Sequence, residues 1–176
     1  MNGKNKGSSF ERLISKKLST WFSKGSSDKL FWRSIGSGSF YTKYQQDVKN
    51  QEGDITAISD EGKIFIDSIC IECKHYKDAN LWSFFKDTND KLKIWWTKLL
   101  GECKSQEKYP MLILRKNNSP IVFFTNEKFS KKLTMFFGDE IQSRMDVRIN
   151  DEIISIYLFE DLLKLDVEIF KSMLNI

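Results

Sequence analysis

Apolar residues return every three or four positions near the start of the chain: Phe10, Leu13, Ile14, Leu18, Trp21 and Phe22. That spacing predicts an amphipathic helix, with Ser8 or Ser9 as its cap and Phe22 near its end. Residues 1–7 are polar, basic and glycine-containing, and are expected to form a flexible tail ahead of a single domain over 8–176. Leu30 to Ile35 reads as a strand, and Gly36-Ser37-Gly38-Ser39 as a turn that can present backbone N–H groups. Tyr41 to Glu52 is a polar loop. From Asp54 the pattern changes. A short apolar segment reaches Ser59, Asp60-Glu61-Gly62-Lys63 reads as a tight turn, and a longer isoleucine-rich run climbs to Cys73. Two antiparallel strands joined by that turn are expected, the second central and buried because it is apolar on both faces.

Further on, Leu81 to Leu100 is helical and rich in aromatic residues, with Gly101 as its stop. Met111–Arg115 and Ile121–Phe124 are strands around the turn 116–120, and Asn126 caps a basic helix reaching Phe137. Val147–Ile149 and Ile153–Phe159 make a hairpin, and a helix from Asp161 to Leu174 closes the chain. The elements sum to an α/β fold, a mixed sheet flanked by helices with a C-terminal hairpin and helix as additions.

At 176 residues, 40% of them hydrophobic, the chain has the size and apolar content of one folded domain. Its formal charge of +4 suits a polyanionic partner without demanding one. No apolar run approaches the roughly 18 residues of a spanning helix, so no membrane is expected, and residues 1–7 lack the apolar stretch of a secretory signal, so none is expected there. Three cysteines, an odd number, point to a reducing cytoplasm.

Candidate chemistry lies where the buried strand meets solvent. Side chains alternate along a strand, so Glu72 and Lys74 emerge on the same face, and the turn at 60–63 would return Asp54 to the same end of the sheet. Magnesium favours oxygen ligands and takes one or two carboxylates. Asp54, Glu72 and the backbone carbonyl of Cys73 meet that demand, with Lys74 able to orient water or stabilise a charged phosphate. Two similar triplets, Glu61-Gly62-Lys63 and Glu102-Cys103-Lys104, lack this setting: one falls in the turn, the other at a helix end. Zinc at Cys70, Cys73, His75 and Cys103 is disfavoured, because Cys70 and Cys73 point to opposite faces of a strand. Lys43 in the polar loop, His75 and Arg115 are candidate contacts for a nucleic acid backbone.

Asp54 followed by Ile71-Glu72-Cys73-Lys74 resembles the Asp…Glu-x-Lys signature of PD-(D/E)XK nucleases. Glu11 in the first helix, then Arg33-Ser34-Ile35-Gly36-Ser37-Gly38, then Gly53-Asp54-Ile55 is an order similar to that of archaeal and phage Holliday junction resolvases, over residues 5–125. The resemblance implies a restriction-endonuclease-like core. It implies Glu11, Asp54, Glu72 and Lys74 as the catalytic set, and Arg33 and Ser37 as active-site or substrate contacts. Mg²⁺, with Mn²⁺ as substitute, would be the cofactor and branched or double-stranded DNA the partner. A homodimer is expected where two strands are cut across a two-fold junction, in the host cytoplasm if the chain is phage-encoded. Other readings are a restriction- or repair-type DNA endonuclease, and a DNA-binding protein that keeps the fold without catalysis.

Overall fold

The computed structural model describes residues 3–34, 53–77, 91–104, 107–141, 144–149 and 152–175. In chain order the elements are α1 (Gly3–Phe22), β1 (Phe31–Arg33), β2 (Ile55–Ala57), α2 (Asp60–Ser68), β3 (Ile69–Tyr76), α3 (Lys91–Lys104), β4 (Tyr109–Lys116) and β5 (Ile121–Asn126). They continue as α4 (Glu127–Phe137), β6 (Arg144–Ile149), β7 (Glu152–Leu158), α5 (Phe159–Leu162) and α6 (Val167–Leu174). Five strands form one mixed sheet in the order β3-β4-β5-β7-β6, while β1 and β2 form a separate antiparallel pair. The fold is a mixed α/β arrangement of the restriction-endonuclease-like kind. Among the described strands, only β3 and β4 run parallel, from Ile69↔Tyr109 to Tyr76↔Lys116. A parallel pair needs a crossover, and α3 lies on that connection.

The sheet separates two apolar layers. On one face, α1, α2 and α4 to α6 pack on Ile69, Ile71, Cys73, Met111, Ile113 and Phe123. On the other, the α3 stripe Leu92, Trp96, Leu99 and Cys103 covers Cys70, Leu112 and Leu114. Phe65 of α2 is fully buried at the centre of the first layer, against the rings of Trp21, Phe22, Phe31 and Phe170.

Several expectations from the sequence are corrected. Residues 60–68 are not a hairpin turn and the start of a strand. They form α2, because the Ser59 side chain accepts the Gly62 N–H as an N-cap. Gly62, Phe65 and Ile66 then share its buried side. A Cβ at Gly62 would lie 2.8 Å from the Leu30 carbonyl oxygen, so that helix seats only through a glycine. Among the described strands, β3 lies at the edge of its sheet rather than at the centre. It reads as buried because helices cover both its faces. The first helix begins at Gly3, so residues 3–7, expected as a flexible tail, enter its first turns. α3 runs through Gly101 to Lys104, since Cys103 continues its buried stripe. The closing helix is broken into α5 and α6, with Asp166 capping the second piece by accepting from Glu168 N and Ile169 N. The Asn126 cap and both C-terminal strands fall where the pattern puts them.

Candidate active site

The site forms along the outer edge of β3, and Asp54 reaches it by a route the hairpin reading did not anticipate. The backbone N–H of Asp54 donates to the Ile71 carbonyl at 2.7 Å, and its carboxylate Oδ2 accepts the Cys73 N–H at 2.8 Å. The segment before β2 thus supplies partners that an edge strand would otherwise lack. Gly53 makes this approach possible. Its φ is +84°, and a Cβ there would stand 2.5 Å from the Ile71 carbonyl oxygen. Gly53→Ala is therefore expected to cost roughly 1–3 kcal/mol through the positive φ, with further loss from the clash. It should also displace Asp54; thermal melting and a cleavage assay read the two effects separately.

Glu72 and Lys74 project on the α3 side of the strand, as alternation requires. Lys74 Nζ donates to Glu72 Oε1 in a close ion pair and lies 3.7 Å from Asp54 Oδ2. One ammonium therefore bridges two carboxylates. Glu11 comes from α1, where its carboxylate Oε2 accepts from Arg33 Nε at 2.9 Å. Glu11, Asp54 and Glu72 are all more than nine-tenths buried. Among the described residues, three acids stand against two cations, Arg33 and Lys74, in a poorly hydrated place.

That charge balance shows in the titration of Asp54, whose carboxyl is pushed from its ordinary 3.8 up to about 6. Burial is the main cause, then repulsion by Glu72. Attraction to Lys74 and the Cys73 N–H act the other way, and Glu11 adds a smaller upward push. For Lys74, burial works against the charged form, but Asp54 and Glu72 outweigh it and the amine stays above its usual range. Cys73 is driven well above the ordinary thiol range by burial, then by the same acids, which leaves its side chain inert and its backbone the useful part.

Among the described residues, no three His, Cys, Asp or Glu side chains are grouped to hold a metal. Two converging carboxylates beside a main-chain carbonyl nevertheless make a hard oxygen donor set, and an excess of buried negative charge suits a divalent cation. Zinc finds no such fit: Cys70 packs in the α3 layer with Cys103, and Cys73 in the opposite one.

Other candidates sit differently. Arg33 is engaged by Glu11 at the site. His75 lies on the α1 side of β3, its Nε2 3.0 Å from Asn117 Oδ1 and its ring against Phe10, away from the Glu72 and Lys74 face. Arg115 is half-buried on β4, in register with His75. Ser37 and Lys43 lie outside the described residues. Of the two similar triplets, Lys63 pairs with Asp60 in α2 and Glu102 with Lys98 in α3, both far from this arrangement in kind. The sequence pattern reads Trp95 as core and does not single out Tyr76; the two rings pack against each other at the margin of the α3 layer, with Lys74 Nζ 6.0 Å from the Trp95 ring centre. The signal was there: Trp95 falls off the stripe formed by Leu92, Trp96, Leu99 and Cys103.

A model of the family described as "phage putative PDDEXK endonuclease" matches residues 2–172. Comparison with curated proteins and with solved structures gives no match. Among the described residues, no helix is long and apolar enough to cross a membrane.

Proposed function

Since the chain belongs to the phage PD-(D/E)XK endonuclease family, we propose that it is a Mg²⁺-dependent endonuclease that hydrolyses DNA phosphodiester bonds at branched structures, in the manner of a Holliday junction resolvase. The observation that carries this reading is the ammonium of Lys74 held between Asp54 and Glu72. Core packing has no use for two buried carboxylates and a half-buried ammonium at one point, whereas phosphoryl chemistry has a use for each.

Asp54, Glu72 and the Cys73 carbonyl would hold Mg²⁺, with Mn²⁺ as substitute, and the ion would neutralise charge building on the phosphate. Lys74 directs N–H donors at the attacking water and at the phosphate oxygens, where charge grows in the transition state. The Cys73 N–H fixes the rotamer of Asp54, as the Arg33 guanidinium fixes Glu11, which serves as an auxiliary acid. Arg115, His75, Ser37 and Lys43 are assigned to the DNA backbone around the cut. A symmetric dimer places two such sites across a two-fold junction, and light scattering tests it. Buried, unpaired thiols at Cys70, Cys73 and Cys103 suit a reducing host cytoplasm.

The decisive experiment incubates the protein with linear, flap and four-way-junction DNA, with and without Mg²⁺ or Mn²⁺. Metal-dependent cutting of the junction in preference to linear duplex is the expected result. Preferential cutting of linear duplex would move the protein to the restriction or repair type. DNA binding with no cleavage in either metal would leave a silent binding protein.

A further inference from the structure

We propose that Tyr76 and Trp95 form an aromatic platform beside Lys74 that receives a single unstacked nucleobase next to the scissile phosphate. The proposal deepens, and rests on, the reading of this site as one that cuts DNA.

Alternation along β3 puts Glu72, Lys74 and Tyr76 on one face, and α3 crosses that face. The helix is anchored by Leu92, Trp96, Leu99 and Cys103, all buried. Trp95 is not among them. It is half-buried, turned toward the end of β3, with the Tyr76 ring 5.7 Å away at 74°. Lys74 Nζ lies 6.0 Å from the Trp95 ring centre, at the outer limit of a cation–π contact. The indole is therefore neighbour to the amine that would touch the phosphate. Lys91 Nζ sits 4.4 Å from the Tyr76 ring centre and donates to its hydroxyl. Two aromatic rings flanked by two ammonium groups, at the mouth of a phosphodiester site, match what a single nucleotide presents: a π-face and an anionic backbone.

Inside a duplex both faces of a base are covered by its neighbours, so no side chain can stack on them. A platform at this position therefore selects DNA whose base is already free, as at a branch point, flap or bulge. Positioning of Lys74 alone would account for Trp95 but would treat paired and unpaired DNA alike.

The test measures binding in EDTA, where no cutting occurs, to a fully paired duplex and to the same duplex carrying an unpaired 2-aminopurine nucleotide. The wild-type protein is expected to bind the unpaired DNA more tightly and to quench the probe by stacking. Trp95→Leu keeps an apolar side chain without a π-face. It should weaken binding to the unpaired DNA roughly tenfold, leave the paired duplex within about twofold, and abolish quenching. Trp95→Phe should restore both. Equal losses on the two DNAs, no loss on either, or quenching that survives in Trp95→Leu would overturn the platform. The outcome is separable from that of the cleavage reading. Should Lys74→Ala be inactive while Trp95→Leu discriminates nothing, only the platform falls; should Lys74→Ala still cut, the role of Lys74 falls while the cutting activity stands, and should wild type cut no DNA in either metal, the nuclease reading falls first.

Discussion

Lys74→Ala is expected to lower Mg²⁺-dependent DNA cleavage by roughly 10²–10³-fold, the loss typical of removing one preorganised donor to developing negative charge. The fold should survive, because Lys74 is partly exposed and its removal opens no cavity in either apolar layer. A purely structural lysine would behave in another way. Its loss leaves Asp54 and Glu72 buried and facing each other without a counter-charge, so a cation-binding pair becomes more cation-hungry. Divalent metal should therefore bind Lys74→Ala at least as tightly as wild type, by titration calorimetry with Ca²⁺ or Mg²⁺, although cutting is lost. Arginine is a poor replacement, since a planar guanidinium cannot occupy the position of a compact ammonium between two carboxylates. Undiminished cleavage by Lys74→Ala, or metal affinity that falls with activity, would remove Lys74 from the chemistry.

Why the sequence revealed this lysine, yet misplaced the strand that carries it, is a matter of what patterns encode. Alternation alone puts Glu72 beside Lys74, and that holds whichever position the strand takes in the sheet. The apolar run from Ile64 to Cys73 is ambiguous: Ile64, Phe65 and Ile66 are compatible with a strand, while Gly62, Phe65, Ile66 and Ile69 keep helical spacing. The Ser59 cap decides for the helix. Hydropathy also reports burial rather than neighbours. β3 has both faces covered and so looks central, although among the described residues its outer edge is met only by Gly53 and Asp54. That closure depends on the Asp54 N–H meeting the Ile71 carbonyl at 2.7 Å, between chain segments well apart in sequence, which no local pattern records. The Glu11–Arg33 pair is likewise a tertiary fact: on its helix Glu11 merely borders the apolar stripe, and only the resemblance singled it out.

Asp54→Asn should also abolish cleavage, and it should do so while making the metal-free protein more stable at neutral pH. The sign follows from titration. The folded protein holds this carboxyl at about 6 against an ordinary 3.8, chiefly through burial and then through Glu72. A raised acid contributes stability that is fully present below the unfolded value and is lost as the pH climbs through the folded one. Between those limits the loss amounts to at most about 3 kcal/mol. Wild-type protein in EDTA should therefore melt lower at pH 7.5 than this group alone would allow at pH 4. Asparagine carries no charge to bury, yet its carbonyl oxygen can still accept the Cys73 N–H that Asp54 now accepts. Adding Mg²⁺ should raise the melting temperature of wild type, because a ligand that binds only the folded state stabilises it, and should leave Asp54→Asn unmoved. Melting curves at two pH values, each with EDTA and with Mg²⁺, test all of this together. Identical pH dependence in wild type and variant would show that Asp54 titrates normally. A shared Mg²⁺ shift would show that the ion is held elsewhere.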